Sequence, residues 1–465
     1  MSRPSRFPFV ALAATVVVLA QILSCATQPA ATATATATAT ASAPASAPRG
    51  PGKSEQRVRS FALNGYKREL DGQWQGIRLA SDGNVYFASS SHSAHVGGAL
   101  FRYDTATGKV TELVHEITEV CGEDVQTNPQ GKVHSDIVEA NGWLYMATHF
   151  ASEKPGAYAK WTGSHALGYE IATGKMRDYG VIRPNYTAYS AVGVDPKRNY
   201  LYVFLLSQDA QLEAHVYRID TVSGDKVDLG PVSAPGGGGF DNGSFWMFVD
   251  RRGDAWFSVK NQNGALRQIH GDTGRIEVHA NALPPLVRWD ANAKETDSRQ
   301  QENRSIAWMQ PLDGDRALMT MSPWGGTLYS FDSTKPMAEA FTPLAHIGPN
   351  YLGGIALGGD RVYYYQRKNR GFGNQEFHDF HLLSVRLDAA AGYPITDHGL
   401  LVDQDGRTVW RVPGMMADGR GHVYMIGDWW TNPGDLGSMR YHWNHGHEGY
   451  EQLKRGEFFA VADVE

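Results

Sequence analysis

The sequence predicts an all-β fold, a seven-bladed β-propeller closed by its own N-terminal strand. Three observations carry that prediction. The 465 residues include 51 glycines, 21 tyrosines and 12 tryptophans, a mix of turn formers and strand-favouring aromatics that suits many short strands. One phrase recurs seven times: a short strand, a Gly/Asp turn, an apolar-aromatic strand, a loop, and a third strand entering another turn. No helical pattern lies between the copies, and strand units at a regular spacing are the signature of a propeller.

The second strand of the phrase reads GNVYFA from Gly83, GWLYMA from Gly142, YLYVF from Tyr200 and GDAWFS from Gly253. It returns as DRALM from Asp315, DRVYY from Asp360 and GHVYM from Gly421. The third strand recurs as LFRYD from Leu100, LGYE from Leu167 and VYRID from Val216. Those three precede Thr107-Gly108-Lys109, Thr173-Gly174-Lys175 and Ser223-Gly224-Asp225, turns that lead to an outer strand. Blades begin near residues 73, 132, 188, 243, 304, 351 and 410. RGEFFAV from Arg455 is a third strand with no fourth after it, and RVRSFAL from Arg57 has no blade of its own. Joining the two supplies the missing outer strand of the last blade and leaves no long open sheet edge.

Residues 1–24 are expected to be a signal peptide and 25–53 a linker, leaving 54–465 as the propeller. Arg3 and Arg6 precede an apolar run from Phe9 to Leu23, which ends at Ile22-Leu23-Ser24-Cys25. That run is short for a membrane-spanning helix and resembles a bacterial lipoprotein signal, which implies lipidation of Cys25. The Thr/Ala/Pro tract that follows cannot bury a core and reads as a tether. Ala26 stands where an aspartate signals inner-membrane retention, so the expected location is the outer membrane or cell surface. The membrane is then met only through the lipid anchor. A net charge of −6 and the absence of a Lys/Arg-rich run exclude nucleic acid as an expected partner. Cys121 is the other cysteine, so no internal disulfide follows; it reads as a small buried apolar residue, in a chain expected to be a monomer.

Equivalent positions of the repeat can be compared without homologues. Four residues after Tyr145 comes His149, whose counterparts are Ser90, Leu206, Lys260, Ser322, Arg367 and Asp428. At the start of the innermost strand, His134-Ser135 corresponds to Tyr189-Ser190 and to Arg304-Ser305. One mouth of the channel is therefore expected to collect His134, His149, Tyr189, Lys260, Arg304 and Arg367. His92, in the Ser91–His95 loop, borders the same mouth. Imidazoles and a phenol transfer protons, and the cations bind an anion. Taken singly, each has a blander role: a loop histidine, a packing tyrosine or a solvated surface cation. Few carboxylates map there, which argues against a metal-dependent sugar lactonase. No cofactor is required by this set. A structural metal is left open at His442, His445 and His447, whose close spacing also suits a polar loop. The Gly236–Gly239 run has no helix to receive phosphate and reads as an inter-blade loop.

The run Gln130-Gly131-Lys132-Val133-His134-Ser135, with Gly142-Trp143-Leu144-Tyr145 and Thr148-His149 after it, resembles the seven-bladed ulvan lyases of polysaccharide lyase families 24 and 25. The likeness extends through Gly163-Ser164-His165-Ala166-Leu167, Asp195-Pro196-Lys197-Arg198 and Leu201-Tyr202. It implies a carbon–oxygen lyase that cleaves an anionic, uronate-containing polysaccharide by β-elimination. It also implies that His134, His149 and Tyr189 supply base and acid. Arg304 or Arg367 would neutralise the uronate carboxylate, and one position departs from the pattern, Leu206 standing in the third blade where an arginine is expected. Lys260, His92 and His165 are further candidates for substrate contact. A surface propeller that binds glycan or protein without catalysis is the alternative, because fold does not choose among propeller roles.

Overall fold

The computed structural model describes residues 54–464 except 64, 68, 152–157, 208, 210–211, 234–242, 287–303, 323–325, 348–353, 368–379, 408 and 430–455. The signal peptide, Cys25 and the linker lie outside the described residues. So do the Gly236–Gly239 run, the blade start near 351, and His442, His445 and His447.

Among the described residues the strands form a β-propeller of five four-stranded sheets and one eight-stranded sheet. Each four-stranded sheet is an antiparallel meander. The first is built from Ile77–Leu79, Val85–Ser89, Ala99–Asp104 and Lys109–Val114; the second from Val138–Ala140, Trp143–Ala147, His165–Glu170 and Met176–Val181. The third comprises Thr187–Asp195, Tyr200–Leu206, His215–Asp220 and Lys226–Pro231. The fourth and fifth open with Met247–Val249 and Ser305–Pro311. Opening strands of successive sheets lie side by side from the second sheet to the last, and the last lies against the first. That places them around the axis.

The sheet count departs from the expected seven separate blades. Glu55–Ala62 pairs antiparallel with Gly456–Asp463, Val58 opposite Ala462, and also parallel with Ile395–Val402, Glu55 opposite Leu400. One strand thus joins two meanders into a single eight-stranded sheet. Its alternation explains why it can close the ring: Gln56, Val58 and Ser60 are buried while Glu55, Arg57 and Arg59 face water. Ser60 is held further by its hydroxyl, 3.1 Å from Asp403 Oδ2.

Second strands such as Val85–Ser89 are buried along their length, sandwiched between neighbouring sheets, whereas outer strands such as Lys226–Pro231 are half exposed. Trp256 packs edge-on to Phe331 at 5.2 Å, joining the fourth sheet to the fifth. The turn into the second strand uses a recurring aspartate. Asp250 Oδ1 accepts from Arg252 N and Asp254 N at 2.9 and 3.1 Å, while Oδ2 meets the Arg252 guanidinium at 2.6 Å. Asp418 repeats the device with Arg420, and Asp403 does so with Arg407 in the turn between the strands Ile395–Val402 and Val409–Ala417. Burial by itself would raise the Asp250 carboxyl, but Arg252 and Trp256 hold it below the usual range. Asn141-Gly142, both at positive φ (52° and 79°), make the tight hairpin that such a turn requires.

Candidate functional site

Two isolated bridges place the candidate residues. Lys132 pairs with His149, and Gly72 pairs with Ser90, at matching positions of the second and first sheets. Two residues beyond each bridge come His134 and Trp74, which are therefore equivalent positions and meet face to face. Their rings stack at 4.3 Å and 23°. On the other side His134 lies 4.8 Å from the Tyr189 ring, and His149 packs against both, 5.0 Å from His134 and 5.7 Å from Tyr189. The three residues expected to act on protons thus converge in one cluster. His134 and His149 are 6 % and 1 % exposed, whereas Tyr189 is half-buried.

Local backbone explains how the tyrosine arrives there. Between Ala188/Leu205 and Val192/Val203 the third sheet's opening strand advances four residues while its partner advances two, a bulge that re-aims residues 189–191. At its centre Ser190 has φ 71°, a left-handed conformation that costs a serine on the order of 1 kcal/mol. Its hydroxyl lies 2.8 Å from His134 Nδ1, and Ala191 N donates to Ser244 O in the fourth sheet at 3.0 Å. Strain at this position therefore accompanies a hydrogen bond that orients the histidine. Ser190→Gly is expected to leave folding stability within about 1 kcal/mol of the parent, the relieved strain offsetting the lost bond. Ser190→Ala keeps the strain and loses the bond, and should fall about 1 kcal/mol below it in urea denaturation.

His149 is fixed from behind. Its Nδ1 lies 2.8 Å from Ala188 O, which can only accept, so Nδ1 carries the proton and Nε2 the lone pair. Thr187 Oγ1 sits 2.7 Å from the same nitrogen. Burial, reinforced by the Lys132 charge, pushes the imidazole down to about 3. The sign of the resulting pH dependence follows. Unfolded, this histidine binds a proton near pH 6.5, but folded only near 3, so the stability it contributes is complete above pH 6.5 and is lost as pH falls toward 3. Within that window the wild-type protein should lose about 1 kcal/mol per pH unit more than His149→Gln, measured by denaturant titration at each pH.

Cations and a further histidine border the stack. Lys132 Nζ lies 4.7 Å from the centre of the Trp74 ring. Lys260 Nζ lies 4.3 Å from the Phe245 ring, which in turn meets Tyr189 at 5.7 Å. His92 packs edge-on to Trp74 at 6.5 Å, and its Nδ1 lies 2.8 Å from Asp71 Oδ1. Gly131 precedes Lys132 because a Cβ there would collide with Ala151 and with the Ser91 carbonyl.

Two expected members are placed otherwise. Arg304 turns to the 281–283 loop, where Nε donates to Leu283 O at 3.2 Å and the guanidinium pairs with Asn281 Oδ1. His165 is buried between carboxylates, Nδ1 at 3.0 Å from Asp178 and Nε2 at 3.2 Å from Glu123. Arg367 ends the strand Arg361–Arg367 by its backbone, and its side chain is outside the described residues. Leu206 is buried opposite Thr187. Sequence reasoning missed Trp74, Lys132, Asp71 and Ser190. Trp74 was within reach, since it holds the repeat position of His134.

No family model and no curated protein matches the chain. Solved structures resemble it as β-propellers. A glycoside hydrolase family 74 enzyme from Niastella koreensis is 14 % identical with a TM-score of 0.50, over 80 % of this chain and 52 % of that one, so the likeness spans about half its length. The β-propeller domain of Cps50 (Swd1) from Myceliophteria thermophila is 11 % identical with a TM-score of 0.46, over 88 % of this chain and all of that domain (100 %). A puromycin hydrolase is 10 % identical with a TM-score of 0.44, over 77 % of this chain and 50 % of that one. The sheet arrangement defines the class, a β-propeller; the neighbours include both hydrolytic enzymes and a propeller domain not named as an enzyme.

Proposed function

We propose that the chain is an exported polysaccharide lyase, lipid-anchored at Cys25 to the outer membrane, that cleaves a uronate-containing glycan by β-elimination. In this reading the eight-stranded sheet is two blades sharing the N-terminal strand, giving seven in all. The observation that carries the proposal is the convergence of His134, His149 and Tyr189 beside the stacked Trp74. An imidazole next to a phenol supplies a base and an acid at one place, and an aromatic face suits a sugar ring.

His134, oriented through Ser190, takes the C5 proton of the uronate. The electron pair forms the C4–C5 double bond, the C4–oxygen bond breaks, and Tyr189 gives its phenolic proton to the departing oxygen. His149, almost fully buried and held neutral, positions the pair. Lys132 and Lys260, whose ammonium groups sit on the cluster's aromatic rings, neutralise the carboxylate and so acidify the C5 proton. Arg304, engaged by its loop, is the weaker candidate for that role.

The test is ultraviolet absorbance of unsaturated products from a panel of uronate polysaccharides, ulvan included. A rising signal that His134→Ala abolishes supports the mechanism. A flat signal from folded protein favours a non-catalytic glycan-binding propeller, for which the Trp74/His134/Tyr189 stack would serve as a platform.

A further inference from the structure

Away from that cluster, three chemically different ligands meet below the surface. Cys121 closes the short helix Ile117–Val120, His165 opens the third strand of the second sheet, and Asp178 lies on its fourth. One donor atom from each lies within 4.8 Å of the others. Cys121 is 7 % exposed, and among the described residues its sulfur makes no hydrogen bond. His165 Nδ1 faces both oxygens of Asp178 at 3.0 Å, and Asp178 Oδ1 is steadied by Gly180 N at 2.7 Å. On the far edge of the ring, Nε2 faces Glu123 Oε1 at 3.2 Å.

We propose that Cys121, His165 and Asp178 bind a zinc ion, with Glu123 accepting from His165 Nε2–H as the outer partner. Thiolate, imidazole and carboxylate are the ligand types zinc takes, and a carboxylate on the second ring nitrogen is the usual way a ligating histidine is oriented. Donor atoms around a tetrahedral zinc stand about 3.3–3.8 Å apart at ordinary bond lengths, so the set closes with a contraction of about 1 Å. Thiolate and carboxylate together balance the dication. The ion would staple the 117–131 connection to the second sheet, and that connection runs directly into Lys132 and His134.

The test uses the full chain carrying Cys25→Ser, so that Cys121 is its one thiol. Metal analysis after purification without chelator should find one equivalent of zinc. Replacing it with cobalt should give the thiolate-to-cobalt charge-transfer band in the near ultraviolet. Cys121→Ser should lose the band and Asp178→Asn should weaken binding at least tenfold. Chelation should lower Tm in the parent but not in Cys121→Ser. Folded parent that takes up no zinc or cobalt overturns the proposal. So does metal bound without the charge-transfer band, which would place it at histidines elsewhere.

Discussion

Tyr189→Phe is expected to reduce turnover on a cleaved uronate glycan by about 10²–10⁴-fold, the range lost when a proton-transfer group is removed. The substitution deletes one oxygen from a half-buried ring whose packing against His134, His149 and Phe245 is otherwise kept. Folding stability should therefore change by less than about 1 kcal/mol. A fall in kcat at unchanged KM would mark the phenol as acting in the transition state, and thermal melts of both proteins would show that the fold is intact. Activity retained within a few-fold would remove Tyr189 from proton transfer and leave it a packing residue.

Phe459→Ala should produce the largest loss of stability, about 3–5 kcal/mol, because it empties the seam where the ring closes. Phe459 lies on the C-terminal strand and is fully buried. Its ring stacks on Phe87 at 4.6 Å and meets Tyr103 at 4.8 Å, both from the first sheet, and touches Phe61 of the N-terminal strand at 6.0 Å. Truncation thus removes contacts to the first sheet, to the last and to the closing strand at once. Equilibrium urea denaturation should show a lower midpoint. A midpoint equal to wild type would mean that closure does not depend on this packing. Phe458→Ala on the opposite face loses the stack on Trp429 at 4.1 Å but leaves the seam with the first sheet in place.

Much of this fold was legible because its units repeat. The second strands begin where the aromatic phrases place them, and RVRSFAL does meet the C-terminal strand, since its alternation leaves one apolar face that needs covering. The additional parallel pairing with Ile395–Val402 was not legible, because backbone pairing at a sheet edge leaves no side-chain signature. In the site, His134 and His149 came from register comparison. The Ser190 bulge did not, as no residue type announces a left-handed serine. Arg304 shows the limit of register: Ser305 pairs with Ser322 as Lys132 pairs with His149, so Ala307 holds the repeat position of His134, and Arg304, three residues earlier, is held by Asn281 and Leu283. The Cys121, His165 and Asp178 set was hidden for a similar reason, being spread over a helix and two strands with no motif spacing.

The central claim, elimination at the His134/Tyr189 cluster, is tested most directly by running the reaction in heavy-oxygen water and analysing the product ends by mass spectrometry. Elimination predicts unsaturated uronate at each new non-reducing end and no heavy oxygen incorporated by cleavage at the reducing ends, once control exchange is subtracted. Saturated non-reducing ends, with heavy oxygen at the new reducing ends, would mean hydrolysis, and would contradict elimination even if His134 and Tyr189 proved essential.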